Sequence, residues 1–155
     1  MSTALPAQRL PSVRVREWPE RLAALFAARA GTPFTWGQHD CCLFAADAVL
    51  AVTGHDLAAD LRGTYSTAAE AARVLAQLGG VVGIAIARAG KVVPAALAQP
   101  GDVGLSHHDP ERPSLAVWGG AAWHAAAAVG VVALQPDAVV RAWRCTATPE
   151  EVPRA

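Results

Sequence analysis

Neither sign of charge dominates this chain: 13 Lys and Arg stand against 13 Asp and Glu over 155 residues. That balance gives no electrostatic reason to expect nucleic acid or an anionic membrane as partner. Cysteine is scarce as well. Cys41 and Cys42 are adjacent, Cys145 is far off in sequence, and no C-x-x-C or C-x-H spacing occurs. A disulfide framework, a zinc site and an iron–sulfur cluster are therefore not expected, and no metal or other cofactor is called for. The longest apolar run, Gly119 to Leu134, is too short to span a bilayer and carries His124 and Gly130. The first residues lack the apolar stretch of a signal peptide, being interrupted by Ser2, Thr3, Pro6, Gln8, Arg9 and Pro11. The expectation is a protein made in the cytoplasm and not exported by the standard secretory route.

What is present reads as one domain of the α+β class. Residues 1–15 form an extended, proline-bearing arm, 16–145 the domain, and 146–155 a loose tail. Pro19 suits the first turn of a helix running to Ala30, with Leu22, Leu25 and Phe26 on one face. A second helix starts from Asp40 as N-cap and runs to about Val52, where Thr53-Gly54 stops it. Leu57 to Tyr65 is a connector or short helix. Ser66 or Thr67 caps a third helix that ends at Gly79-Gly80. Val82 to Arg88 fits a helical turn or a strand equally well. After Pro100 the pattern changes. Gly101 to Leu105 reads as a strand entered through a turn, His107 to Pro113 as a polar loop, and Leu115 to Trp118 as a strand ending at Gly119-Gly120. Two or three further strands fill Ala121 to Arg144, giving helices first and a mostly antiparallel sheet second.

Cys41 is the residue best placed for chemistry. In the first turn of a helix capped by Asp40, unpaired N–H groups and the helix dipole favour a thiolate. The competing reading makes it, like Cys42, a small apolar residue lining a core. His39, His55, His107 and His108 read as solvated loop histidines, with His39 projecting away from the first-turn side chains. His124 reads as a core or half-buried residue on an apolar strand. Trp36 should lie beside the cysteine helix, and Trp118, Trp123 and Trp143 should fill the core face of the sheet, a sugar-binding platform being the alternative. Asp102 should cap or brace its turn. Arg9, Arg14 and Arg16 lie on an arm read as solvated and mobile, or as lying across a neighbouring subunit.

The stretch Phe34-Thr35-Trp36-Gly37-Gln38-His39-Asp40-Cys41-Cys42-Leu43-Phe44 resembles the nucleophile segment of NlpC-type papain-like cell-wall peptidases. Gly101-Asp102-Val103, Ser114-Leu115-Ala116-Val117-Trp118-Gly119-Gly120 and Trp123-His124-Ala125 resemble that family's later landmarks, in the same order. Thr53-Gly54-His55-Asp56 and Gly63-Thr64-Tyr65 bring the likeness closer to small members encoded among phage tail-tip genes. The resemblance implies a papain-like fold, with a cysteine-bearing helix packed on an antiparallel sheet. It implies Cys41 as nucleophile, Asp40 as the N-cap beside it, and His124 as the residue that orients a base. The base itself should be a histidine where this chain has Ser114, and a hydroxyl cannot take a thiol's proton near neutral pH.

Two functions follow from the resemblance. In the first, the chain is a structural component of a phage tail tip or tail-like particle, assembled in the host cytoplasm and bound to tail hub and tail-tip proteins. In the second, it is an active cysteine peptidase or amidase cutting peptidoglycan peptides during genome delivery, with His124 or a loop histidine as base. Ser114 favours the first.

Overall fold

Capping chemistry decides where the helices begin. The computed structural model describes residues 10–107, 109 and 111–148. Helix α1 spans Trp18–Arg29 with proline in its first turn and Leu22 buried. Helix α2 spans Cys41–Thr53, starts from Asp40, and stops at Gly54 in the left-handed conformation, whose N–H bonds the Leu50 carbonyl. Helix α3, Ala68–Gln77, takes Thr67 as N-cap; its hydroxyl accepts from the Glu70 N–H. The segment that fitted helix or strand is helix α4, Gly80–Arg88, with Val81, Ile84 and Ala85 buried at helical spacing. No single helix among the described residues is long and apolar enough to cross a membrane.

Six strands follow: β1 Val92–Pro94, β2 Val103–Ser106, β3 Ser114–Trp118, β4 Trp123–Ala127, β5 Gly130–Ala133 and β6 Val139–Trp143. They form one antiparallel sheet in the order β1-β6-β2-β3-β4-β5. The fold is therefore α+β, helices first. Strand β1 is absent from the sequence expectation because its three residues carry no alternating pattern; they pair with β6 through Val92↔Trp143 and Pro94↔Arg141.

Side-chain alternation divides the sheet into two faces. Val103, Leu105, Leu115, Val117 and Trp143 join the core beneath the helices, with Phe44, Val49 and Val52 of α2. Ala116, Trp123, Ala125, Val139 and Ala142 form a second cluster on the opposite face, with Trp118 packed against it. The expectation that all three sheet tryptophans fill one core face is thus corrected: Trp143 lies on the helix side, Trp118 and Trp123 on the other.

The described part of the N-terminal arm lies on its own domain. Leu10 is buried in the main core, and the Val15 N–H bonds the Val52 carbonyl at 2.9 Å. Ala147 bonds back to the Pro11 carbonyl at 3.0 Å. Arg14, expected to be solvated, instead donates to the Pro100 carbonyl and stacks over Trp18 at 4.5 Å from the ring centre. Arg9 falls outside the described residues.

Candidate functional site

Asp40 organises the start of α2. Its side chain is buried, and both oxygens are used. Oδ1 accepts from the Leu43 N–H at 3.0 Å, which is the cap itself. Oδ2 accepts from the Gly37 N–H at 3.0 Å and from the Tyr65 hydroxyl at 2.6 Å. One carboxylate therefore ties together the Trp-Gly loop, the helix start and the segment ending in Tyr65. Burial and the Asp40 carboxylate together keep the phenol protonated well above its usual range. Gly37 is required by this arrangement. It has φ of 80°, and a Cβ there would sit 1.8 Å from the Tyr65 carbonyl oxygen. The Gly63 N–H closes the contact by donating to the Gly37 carbonyl at 2.9 Å.

Cys41 is the first residue of α2 and is half-buried, whereas Cys42 is buried. The two sulfurs are 4.0 Å apart. The Cys41 thiol is shifted down. The Cys42 side-chain contact contributes most; burial opposes it, and the Leu115 backbone N–H assists. Cys42 moves the other way, raised first by the same contact and then by its own burial. Strand β4 pairs with β3 at Val117 and Trp118, leaving Ser114 and Leu115 without a β4 partner among the described residues. Neither the Leu115 N–H nor the role of Cys42 carries a signal in the sequence.

Ser114 opens β3, immediately before Leu115, and pairs with Ser106 across β2. Its hydroxyl oxygen is buried and makes no hydrogen bond. His124 sits opposite Val117 on β4 and is half-buried. Its ring lies on Phe26 with centroids 4.8 Å apart, and burial alone lowers its pKa. No hydrogen bond joins it to Cys41 among the described residues.

The remaining histidines divide. His107 is exposed, and His108 lies outside the described residues. His39 corrects the expectation of a solvated residue: it is 2% exposed, stands edge-on to Phe44, and has both ring nitrogens unpaired. Burial, reinforced by Arg29, lowers its pKa against the pull of Asp47 and Asp40. The reason is topological. The Thr35↔His39 bridge folds the loop back on itself and turns the imidazole toward α2. His55, also expected to be solvated, is half-buried, with Nε2 unpaired.

Asp102 braces its turn as expected. It is fully buried and accepts from the backbone N–H groups of Gln99 and Cys145 and from Arg144, each at 2.9 Å. Trp36 is half-buried and meets Phe34 edge to face at 4.7 Å. Trp118 and Trp123 line a cleft of about 360 Å³ with Leu134, Val139 and several alanines, on the sheet face away from the thiol. No cluster of three or more His, Cys, Asp or Glu side chains suited to a metal occurs among the described residues.

A family model for a domain of unknown function, DUF6950, matches residues 13–145. The chain belongs to the DUF6950 family. The match runs from Val13 on the docked arm to the buried Cys145, so the DUF6950 domain takes in both the Asp40–Tyr65 assembly and the Asp102 turn. No curated protein and no solved structure matches the chain.

Proposed function

We propose that this DUF6950 domain is a degenerate NlpC-type, papain-like fold serving as a structural component of a phage tail tip or tail-like particle. The observation that carries the proposal is the thiol without a base. Cys41 starts a capped helix, yet the first position of β3 holds Ser114, and His124 packs tilted against Phe26 with no hydrogen bond to the sulfur. A cysteine peptidase needs a base within hydrogen-bond reach of its nucleophile. The helix-then-sheet order, the Asp40-Cys41 helix start and the Gly101-Asp102 turn support the papain-like assignment. Its partners would be tail hub and tail-tip proteins.

The second reading, a peptidase or amidase acting on peptidoglycan peptides, draws support from the lowered Cys41 thiol. Particles made with Cys41→Ala separate the two. Under the structural reading the chain is found in purified particles, and the variant particles assemble and infect as wild type does. Normal particles that no longer infect would overturn it in favour of the peptidase. The degenerate site has its own test in Ser114→His, which should raise the alkylation rate of Cys41 near neutral pH severalfold, up to the roughly thirtyfold that full ionisation of an ordinary thiol of pKa about 8.5 would give. Wild type already reacting at that rate, and losing it in His124→Ala, would show that the base was never missing.

A further inference from the structure

Cys41 and Cys42 face each other with unequal access: two free thiols at 4.0 Å, one half-buried and one buried, in the first turn of α2. Cys145, the remaining cysteine, is fully buried, and its pKa is pushed up to about 12 chiefly by that burial. We propose that Cys41 is a peroxide-sensitive oxidation site and that Cys42 is its resolving thiol, closing a disulfide between neighbouring residues. The inference is independent of whether the domain is structural or catalytic, because it needs only the two sulfurs and a hydroperoxide.

The chemistry balances with hydrogen peroxide as the two-electron oxidant. The Cys41 thiolate attacks one peroxide oxygen; an S–O bond forms, the O–O bond breaks, and hydroxide leaves to take up the thiol's proton as water. Cys42 then attacks the Cys41 sulfenic sulfur. The S–S bond forms, the S–O bond breaks, and the departing hydroxide leaves as water with the Cys42 proton. Two thiols and one peroxide give one disulfide and two waters. The downward shift of Cys41 favours it as the attacking thiolate, and Cys42 is then the neighbour that intercepts the sulfenic acid.

Such a bond has a structural consequence. Consecutive Cα atoms lie about 3.8 Å apart across a trans peptide, below the roughly 4.4–6.8 Å usual for a disulfide. That separation is set by the peptide bond and no unwinding of α2 lengthens it, so the strain of the eight-membered ring falls on the torsions of Cys41 and Cys42, in the same turn that the Asp40 carboxylate caps through the Leu43 N–H. The strained bond should be readily reduced.

Limited peroxide treatment of the purified full chain, followed by trypsin and mass spectrometry, tests this directly. Arg29 and Arg62 bound a tryptic peptide that holds Cys41 and Cys42 and no other cysteine. The expected result is a peptide lighter by two hydrogens, restored by dithiothreitol, and formed before Cys145 is modified. Cys42→Ser should convert the product to a sulfenic acid trapped by dimedone, and then to a sulfinic acid. Cys41→Ser should remove peroxide consumption at this peptide. A wild-type peptide that gains oxygen and never loses hydrogens overturns the assignment of Cys42. A peptide oxidised no faster than Cys145 overturns the site altogether. Both readings come from the wild-type protein, so they hold even where a variant folds poorly.

Discussion

Asp40 precedes Cys41 at the start of α2 and Ser114 opens β3, and their surroundings differ. Both oxygens of Asp40 are engaged, holding the Gly37 N–H, the Leu43 N–H and the Tyr65 hydroxyl. The Ser114 hydroxyl is buried and holds nothing. One side of the site is built into the fold, while the other is only present. The physical reason lies in what each position does for stability. An N-cap carboxylate that joins three chain segments is needed for the helix to start where it does, whether or not the thiol reacts. A base at the start of β3 matters only to chemistry. The Trp-Gly…Asp-Cys pattern is accordingly a folding motif first, and its presence alone does not argue for catalysis.

Asp40→Ala should break this comparison most severely. It removes the cap and leaves two further buried donors, the Gly37 N–H and the Tyr65 hydroxyl, without an acceptor. The expected loss is about 3 to 5 kcal/mol in urea unfolding, from one lost cap plus the desolvation of stranded polar groups. A loss under about 1 kcal/mol would mean that the carboxylate is dispensable to the fold, contrary to its position here.

Gly37→Ala attacks the same assembly from the backbone side. The added Cβ meets the Tyr65 carbonyl oxygen at 1.8 Å, and φ of 80° is unfavourable for alanine. Relief requires the segment around Gly63 to Tyr65 to move, with loss of the Gly63–Gly37 hydrogen bond. The expected cost is about 2 to 4 kcal/mol, with α2 itself intact by circular dichroism. A neutral result would show that the Tyr65 segment shifts freely and is no part of the site's frame.

His39 gives a smaller, pH-dependent effect. Its folded pKa lies below the unfolded value of about 6.5. The folded state then binds fewer protons than the unfolded chain in that window, so stability rises with pH there. The contribution is fully present above about pH 6.5 and is lost as pH falls through the folded pKa. His39→Gln should therefore flatten the fall in stability just below pH 6.5, as followed by unfolding at a series of pH values. An unchanged profile would move the acid sensitivity to His124, whose pKa is also lowered by burial.

Much of the helical half was legible because its signals are local. Asp40, Thr67 and Gly54 each act within one turn, so caps and stops read from single residues agree with the structure. The sheet order was not legible, since β6 reaches its place between β1 and β2 through pairings far apart in sequence. Burial of His39 depended on a loop closing at Thr35. The docking of Arg14 depended on where Asp102 and Pro100 end up, 4.0 Å away in the case of the carboxylate. At the site, the residue types were visible but the contacts were not. Cys41 was identifiable from its place in a helix start, whereas the Leu115 N–H and the stacking of His124 on Phe26 exist only once β3 and β4 are laid beside the helices.

The smallest effect belongs to Ser114→Ala, and it sharpens the comparison most. Deleting a hydroxyl that makes no hydrogen bond removes a buried, unpaired polar group and costs only a few packing contacts. Stability should change by less than about 1 kcal/mol and in the stabilising direction, because the substitution removes an unsatisfied hydroxyl and leaves the Cβ as a methyl. Cys41 alkylation should be unaffected, since the contact from β3 to the sulfur comes from the Leu115 backbone and not from the serine. A clear destabilisation would mean that a bound water pairs Ser114 in solution. A slower Cys41 would mean that the hydroxyl serves the thiol after all, and Asp40 and Ser114 would then stand on an equal footing.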